Sequence, residues 1–359
     1  MNGDEYVDIL MEELERCLKM LRMYPDAFIK LHGDLIRDHN LQDIGNTTSR
    51  VALAMFLYHC AHGATYTMVG DRFEKCKEVV SSCINNVADV MCNFGHAMVG
   101  RLEGHGDINC VHPEFKDAPL FQGCYGVMDG THIPVKVHEF KERYRDRDNN
   151  ITVSILIVAD MNRRIIFLGT GFVGSLNDAD VLRDCQQEPN FPHPPRGMYH
   201  LGDSGYDLEV GYLTPYKDCK YGLFESVFHK LKVRKDDPII EKHKAFNTAH
   251  ANKRVIVEHV IGLLKQRWKI LKQGKKHDPI MINKIIAGVC GLHNFLWEYN
   301  YGRDVIETYP MTGWARAHVE NGIEAPDMQE LICEKLSNNQ GGLRKMILEI
   351  SKRVGGFSG

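Results

Sequence analysis

The hydrophobic period of this chain changes partway along, and that change limits its architecture more than anything else in the sequence. Through residues 4–37 apolar side chains recur at helical spacing, as Val7, Leu10, Met11, Leu14, Cys17, Leu18 and Leu21 show. After a polar break at 38–46, Val51, Leu53, Ala54, Leu57 and Tyr58 make one stripe along a helix over 50–62. Thr47, Thr48 and Ser49 offer its N-cap and Gly63 its stop. A short helix over 67–73 and a longer one over 75–91 complete a helix, turn, helix order of the kind that sets its last helix in a DNA major groove. That last helix carries Lys75, Lys77 and Glu78 and then mostly Val, Ser, Cys, Ile and Asn. Packing into a core accounts for it at least as well.

Residues 93–118 are irregular and rich in Gly, His and Pro, and read as a linker. Beyond them the pattern becomes that of strands, at 123–128, 151–159 and 164–171. A capped helix over 177–185 and a strand over 198–202 follow. A loop rich in Asp, Lys and Pro then leads to a long helix over 246–271, where Val257, Ile261, Leu264, Trp268 and Leu271 form a buried stripe. A helix over 280–299 is apolar almost all round, as a core helix covering a sheet would be. Three strands, a helix and a strand open a ribonuclease-H-like fold. The expectation is an α/β protein with a mixed sheet flanked by helices, preceded by an all-α, helix-turn-helix-like unit. Its parts are a helical region over 1–118 with that unit at about 47–92, a sheet domain over 119–300, and a tail over 301–359 with short helices.

Hydrophobic content of 43% and charged content of 25% are ordinary globular values, which excludes wholesale disorder. The longest apolar runs, such as 151–159, are too short to span a bilayer, so no membrane is expected. The first 19 residues are acidic and amphipathic, unlike a secretory signal. Eleven cysteines, an odd number without a Cys-x-x-Cys pair, suit reduced thiols inside a cell better than disulfides or structural zinc. A net charge of −3 argues against coating nucleic acid through bulk charge, but the charge is uneven. Eight Lys or Arg fall between 253 and 276 against the single acid Glu258. A second basic cluster spans 136–147. Such runs are ordinarily solvated helix faces. Around a catalytic carboxylate they would instead hold phosphates, with salt-sensitive affinity and little sequence preference.

Three acids stand in such settings. Asp129 lies in Gly126-Val127-Met128-Asp129-Gly130-Thr131-His132 and Asp203 in Leu201-Gly202-Asp203-Ser204-Gly205-Tyr206. Both follow apolar runs and precede a glycine within two residues, as where a buried strand delivers a carboxylate to a sheet edge. Glu258 sits one step off the buried helical stripe, with Asn247, His250, Arg254 and Lys265 along the same flank. Two divalent cations need hard oxygen ligands from a few carboxylates, with open positions for phosphate and water. Each acid alone has an ordinary account: turn formers for the aspartates, and pairing with Arg254 at i−4 for Glu258. Helix capping for Asp178 and a satisfied half-buried imidazole for His132 fit slightly better than a place at the site. His293 and Trp268 read as core.

Six short motifs occur in one order. They are Phe56-Leu57-Tyr58-His59; Met128-Asp129-Gly130-Thr131-His132-Ile133-Pro134; Gly174-Ser175-Leu176-Asn177-Asp178; Gly202-Asp203-Ser204-Gly205-Tyr206; Phe246-Asn247 with His250, Arg254, Glu258, Gly262, Lys265, Arg267 and Trp268; and Leu292-His293-Asn294-Phe295. Through most of its length the chain thereby resembles the PIF/Harbinger superfamily of DDE transposases and the nucleases derived from Harbinger transposases. The resemblance implies a metal-dependent DNA endonuclease that hydrolyses phosphodiester bonds, with strand transfer left open. It implies Mg²⁺ or Mn²⁺ held by the catalytic triad Asp129, Asp203 and Glu258; in two-metal chemistry, which must neutralise the phosphate and activate water, Asp129 would bridge the ions. It implies DNA as partner, a Myb or SANT-like DNA-binding companion, and a nuclear location with the cytoplasm as a second setting. On the basic flank itself, His250, Arg254, Lys265 and Arg267 are the candidates to hold DNA phosphates, with a solvated helix face as the equal alternative for His250 and Arg254. Whether the chain forms a homo-oligomer stays open. The alternative is a domesticated chromatin or transcription adaptor, catalytically idle, acting through a protein partner.

Overall fold

In the computed structural model the described residues are 2–100, 123–196, 198–216, 238–274 and 277–299. The periodic stretch over 4–37 divides into three helices. α1 (Gly3–Glu12) opens on a capping box in which the Asn2 side chain accepts from the Glu5 N–H and Glu5 accepts from the Asn2 N–H, both at 2.9 Å. Extended Glu13 separates it from α2 (Leu14–Leu21), and Arg22 in the left-handed region turns the chain into α3 (Pro25–His39). α4 (Ser49–His62) is capped by Thr48 and stopped by left-handed Gly63. α5 (Tyr66–Phe73) and α6 (Lys77–Val99) complete the helix-turn-helix-like order. Residues 93–99, expected as the start of a linker, are helix, because Phe94, Met98 and Val99 continue the buried face of α6.

The sheet runs β3-β2-β1-β4-β5. β1 (Cys124–Pro134), β2 (Thr152–Ala159) and β3 (Ile165–Val173) form an antiparallel meander, and β4 (Tyr199–Leu201) and β5 (Tyr212–Leu213) add on in parallel. α7 (Asp178–Cys185) connects the two halves. β1 extends past the expected 123–128 because Asp129–Pro134 pair with Ile157–Thr152 across the meander. β5, two residues long, has no pattern from which to be read. Strand alternation sorts the two faces: Val127, Val153, Ile155 and Ile157 join the main core, while Met128, Leu156 and Val158 pack on Val181, Leu182 and Cys185 of α7.

The main-core face is covered by α8 (Pro238–Arg267), the short α9 (Ile270–Gln273) and α10 (Pro279–Tyr299). α10 crosses α6 at small residues: a Cβ on Gly95 would strike the Ala287 carbonyl, and one on Gly291 would stand 2.5 Å from the Gly95 Cα. Asn294 of α10 locks onto β3, accepting from the Ile165 N–H at 2.8 Å and donating to the Ile165 carbonyl at 2.8 Å and the Met98 carbonyl at 3.3 Å. One continuous core therefore runs from Tyr6 of α1 through the sheet to Leu296 of α10. Among the described residues α10 is the one helix long and apolar enough to cross a membrane, and most of it is buried inside the fold. The expected boundary at 118/119, Lys275, Lys276 and the tail over 301–359 lie outside the described residues.

Candidate active site

β1 and β4 run in parallel with Val127 opposite Leu201, so Asp129 and Asp203, each two residues further on, leave the pair at one level and on one face. That face is the one α8 covers. There Arg254 brings its Nη2 to 3.2 Å from Asp129 Oδ1 and 3.6 Å from Glu258 Oε1, one helical turn on. Asp203 closes a tight turn in which its Oδ1 accepts from the Gly205 N–H at 2.7 Å. Gly130 and Gly205 open the space between the acids. A Cβ on Gly130 would lie 2.5 Å from Asp178 Oδ1, and one on Gly205 would lie 3.0 Å from Asp203 Oδ1 and 3.3 Å from Asp178 Oδ2. Asp129, Asp178 and Asp203 thus gather round two glycines, with Glu258 joined through Arg254.

The electrostatics follow from that crowding. Burial pushes the Asp129 carboxyl up to about 6; Arg254 pulls it back, and Asp203, Glu258 and Asp178 push it further up. The Asp178 carboxyl is also raised, by burial first and Asp203 second, with Arg147, His132 and Arg254 opposing. Beneath them the Tyr206 ring is fully buried and its hydroxyl finds no hydrogen-bond partner, with Asp178, Asp129 and Asp203 as its charged neighbours. Three hard carboxylates round a hydroxyl without a partner among the described residues, with Glu258 joined through Arg254, match the donor chemistry of Mg²⁺ or Mn²⁺. Among the described residues no three His, Cys, Asp or Glu side chains already form a chelating group. Arg254 supplies the positive charge between two of the acids.

The basic residues expected to face a ligand are distributed differently. Arg254 turns inward onto the acids, its side chain 13% exposed. Lys265, two turns beyond Glu258, donates from Nζ to Thr131 Oγ1 at 2.6 Å and to the His132 carbonyl at 3.2 Å, and burial lowers its pKa. His250 is 1% exposed and donates from Nε2 to the Leu213 carbonyl at 3.0 Å, tying α8 to β5. Asn247 brackets the backbone of Tyr216 in the same way, at 2.8 and 3.0 Å. Arg267 is 6% exposed and lines a cleft of about 590 Å³ with Arg16, Lys19 and Arg22 beside α2 rather than the acidic site. His132 engages Thr152 Oγ1 through Nδ1 at 3.1 Å. His293 donates from Nε2 to the Arg163 carbonyl at 2.8 Å, and Trp268 is fully buried. The helix cap expected of Asp178 is made instead by Asn177, whose side chain accepts from the Asp180 N–H at 2.9 Å. No local sequence pattern singles out the Tyr206 hydroxyl, although Tyr206 directly follows Gly205.

A five-stranded mixed sheet in this order, flanked by helices and carrying acids where β1 and β4 part, defines the class: an α/β protein of ribonuclease-H-like architecture. Residues 128–294 match the family model described as DDE superfamily endonuclease. Residues 1–93 match a second family, a domain of unknown function, DUF8040. Human HARBI1, provisionally named a nuclease, is 24% identical over 282 residues, covering 76% of this chain and 74% of that one. The protein ALP1-like of Arabidopsis thaliana is 23% identical over 265 residues, 69% of this chain and 60% of that one. A protein of Streptomyces albus G, provisionally named the transposase for insertion sequence element IS112, is 24% identical over 169 residues, 47% and 57% of the two chains. No solved structure matches the chain.

Proposed function

We propose that the chain is a divalent-metal-dependent DNA endonuclease of the Harbinger type, in which Asp129, Asp203 and Glu258 supply the oxygens that hold the metal. The observation that carries this reading is the convergence, within a DDE superfamily endonuclease domain, of acids from β1, the end of β4 and α8 on one side of the sheet. Bound metal would neutralise the phosphoryl oxygens and lower the pKa of the attacking water. The chain's own groups do the rest. Arg254 balances the acids at rest and stands where an incoming phosphate arrives, and Lys265 fixes the strand segment next to Asp129 through Thr131. Sequence-directed targeting belongs, in this proposal, to a separate Myb or SANT-like companion in the nucleus.

The test is nicking of supercoiled plasmid in Mn²⁺ by the native chain and by Glu258→Gln. Cleavage that falls at least about a hundredfold in the variant supports the reading. Equal cleavage by both removes Glu258 from it. A catalytically idle adaptor is favoured by one feature, the Arg254 guanidinium already lodged between Asp129 and Glu258 without a ready chelating group among the described residues. Calorimetry separates the two, because an adaptor of that kind need not take up Mn²⁺.

A further inference from the structure

We propose that the cleft between α2 and the end of α8 is a binding site for a small polyphosphorylated molecule, which bridges the helical region and the sheet domain. The site is separate from the acids and does not depend on the nuclease reading. Arg267 lies nine residues beyond Glu258, about 13 Å along α8 and on the opposite side of the helix. With Arg16, Lys19 and Arg22 it lines a cleft of about 590 Å³, in which Glu15 is the one acid among the described residues. Arg16 is partly neutralised by Glu13 at 3.2 Å, but Lys19 and Arg22 make no ion pair among the described residues. The His62 imidazole, held below its ordinary pKa by burial, is pushed lower still by Arg22, Lys269 and Arg72 against its bond to the Met20 carbonyl. Cations from two parts of the fold therefore crowd one joint.

Basic side chains commonly gather at helix ends, where they serve the terminal carbonyls. Here four such carbonyls are met by other donors. Those of Leu18 and Met20 in α2 accept from the Arg22 N–H and from His62 Nε2, each at 3.0 Å. That of Ala61 in α4 accepts from the Lys269 N–H at 3.4 Å, and that of Leu264 in α8 from the Trp268 N–H at 2.9 Å. Arg22 itself holds the left-handed C-cap of α2 at φ 63°, a position that favours glycine or asparagine. Its Nε is buried and has no hydrogen-bond partner among the described residues. An arginine in a strained backbone position with a buried N–H unspent points to a ligand that accepts from it, and phosphate oxygens match the guanidinium fork. Size decides between ligands. Arg267 is 6% exposed, so a duplex lying over the surface would leave it untouched, whereas a compact polyphosphate can enter whole. The volume is that of a small-molecule site, roughly 300–1,000 Å³. Inositol polyphosphates and nucleoside polyphosphates share the required chemistry, and Leu18 and Met20 offer an apolar wall to the base of the latter.

Calorimetry in EDTA at physiological salt tests the inference with inositol hexakisphosphate, ATP and a short DNA duplex, on the native chain, Arg22→Gly, Lys19→Gln and Lys77→Gln. The native chain should bind inositol hexakisphosphate or ATP saturably, one molecule per chain, and its Tm should rise with the ligand because binding ties α2 to α8. Tighter binding of the inositol phosphate assigns recognition to the number of phosphates, and tighter binding of ATP to the apolar wall as well. Arg22→Gly removes the guanidinium and suits the left-handed turn, so the fold survives it. Its affinity for the bound polyphosphate should fall about tenfold or more, the worth of one charge-assisted hydrogen bond. Lys19→Gln should weaken binding in the same direction. Lys77→Gln, an equal change of charge at an exposed position of α6, should bind as the native chain does. No saturable binding of either ligand, native affinity in Arg22→Gly, or an equal loss in Lys77→Gln overturns the inference. A duplex that binds with the same dependence on Arg22 also overturns it, since backbone phosphates would then occupy the cleft. None of these outcomes bears on Mn²⁺ uptake by the acids, so the nuclease reading stands or falls separately.

Discussion

Asp129 sits where burial and charge pull against each other. Its side chain is 22% exposed, and burial with three acidic neighbours outweighs Arg254, so its carboxyl titrates near 6 against an ordinary value of 3.8. The sign of the linkage follows. Between those two pH values the folded chain holds a proton that the unfolded chain releases, so stability falls as pH rises through the window and the full penalty is present above about 6. Asp129→Asn removes the penalty. In EDTA at pH 7.5 the variant should be more stable than the native chain by about 1–2 kcal/mol, below the ~3 kcal/mol that the whole shift would represent. The gain should shrink as pH falls through the window, leaving a small fraction at pH 4 and vanishing below 3.8, and it should also shrink when Mn²⁺ stabilises the native carboxylate. Urea unfolding at the two pH values decides it; an Asp129→Asn variant less stable than the native chain at pH 7.5 would mean that the Arg254 pair dominates. Asp129 and Asp203 could be singled out in the sequence because a strand end followed by glycine is a local pattern. Asp178 and Tyr206 have no such local pattern, since what defines both is the space left by Gly130, 48 and 76 residues before them, which only the fold brings together.

Among the elements, helices were readable where caps and stripes agreed, as in α4 between Thr48 and Gly63. They were misjudged where tertiary packing set the boundary. α6 continues to Val99 because Gly95 lets it lie against α10, a cause that resides in the partner helix. Likewise α8 stops at Arg267 although the apolar stripe continues through Trp268 and Leu271, which a turn at 268–269 hands on to α9. The Leu292-His293-Asn294-Phe295 motif was legible as a motif, but its work emerges only from the contacts. Asn294 presents its amide to both backbone groups of Ile165, completing β3 as a neighbouring strand would. Asn294→Ala strips a buried N–H and carbonyl of their partners and frees a hold on Met98. The expected cost is about 2–4 kcal/mol, measured by chemical denaturation, with the acid cluster's Mn²⁺ affinity unchanged. A cost below ~0.5 kcal/mol would show that water replaces the amide.

At the scale of the molecule, the helical region and the sheet are joined by burial rather than tethered. α10 is apolar nearly all round because it has two clients: β3 and α8 on one side, and α6 with its Gly95 crossing on the other. α4 adds Phe56 and Leu57 to the same continuous core, and His59 meets His277, ahead of α10, through their Nε2 atoms at 2.9 Å. Removing the first 118 residues would therefore expose one whole side of α10, including Met281, Ile285, Leu292 and Phe295, which lie in that shared core. An apolar surface of that kind drives association rather than remaining solvated. The expected outcome is that a fragment beginning at residue 119 is recovered aggregated, or as a species that binds hydrophobic dye and lacks near-ultraviolet dichroism. The intact chain should melt in one transition, with near- and far-ultraviolet signals coincident. A soluble fragment with a sharp melt of its own would mean that the sheet folds without the helices. The N-terminal unit would then be free to move relative to the sheet domain. Coincident melting instead makes α6 part of the frame that holds α10, and through Asn294 the strand β3, in place beneath the acids.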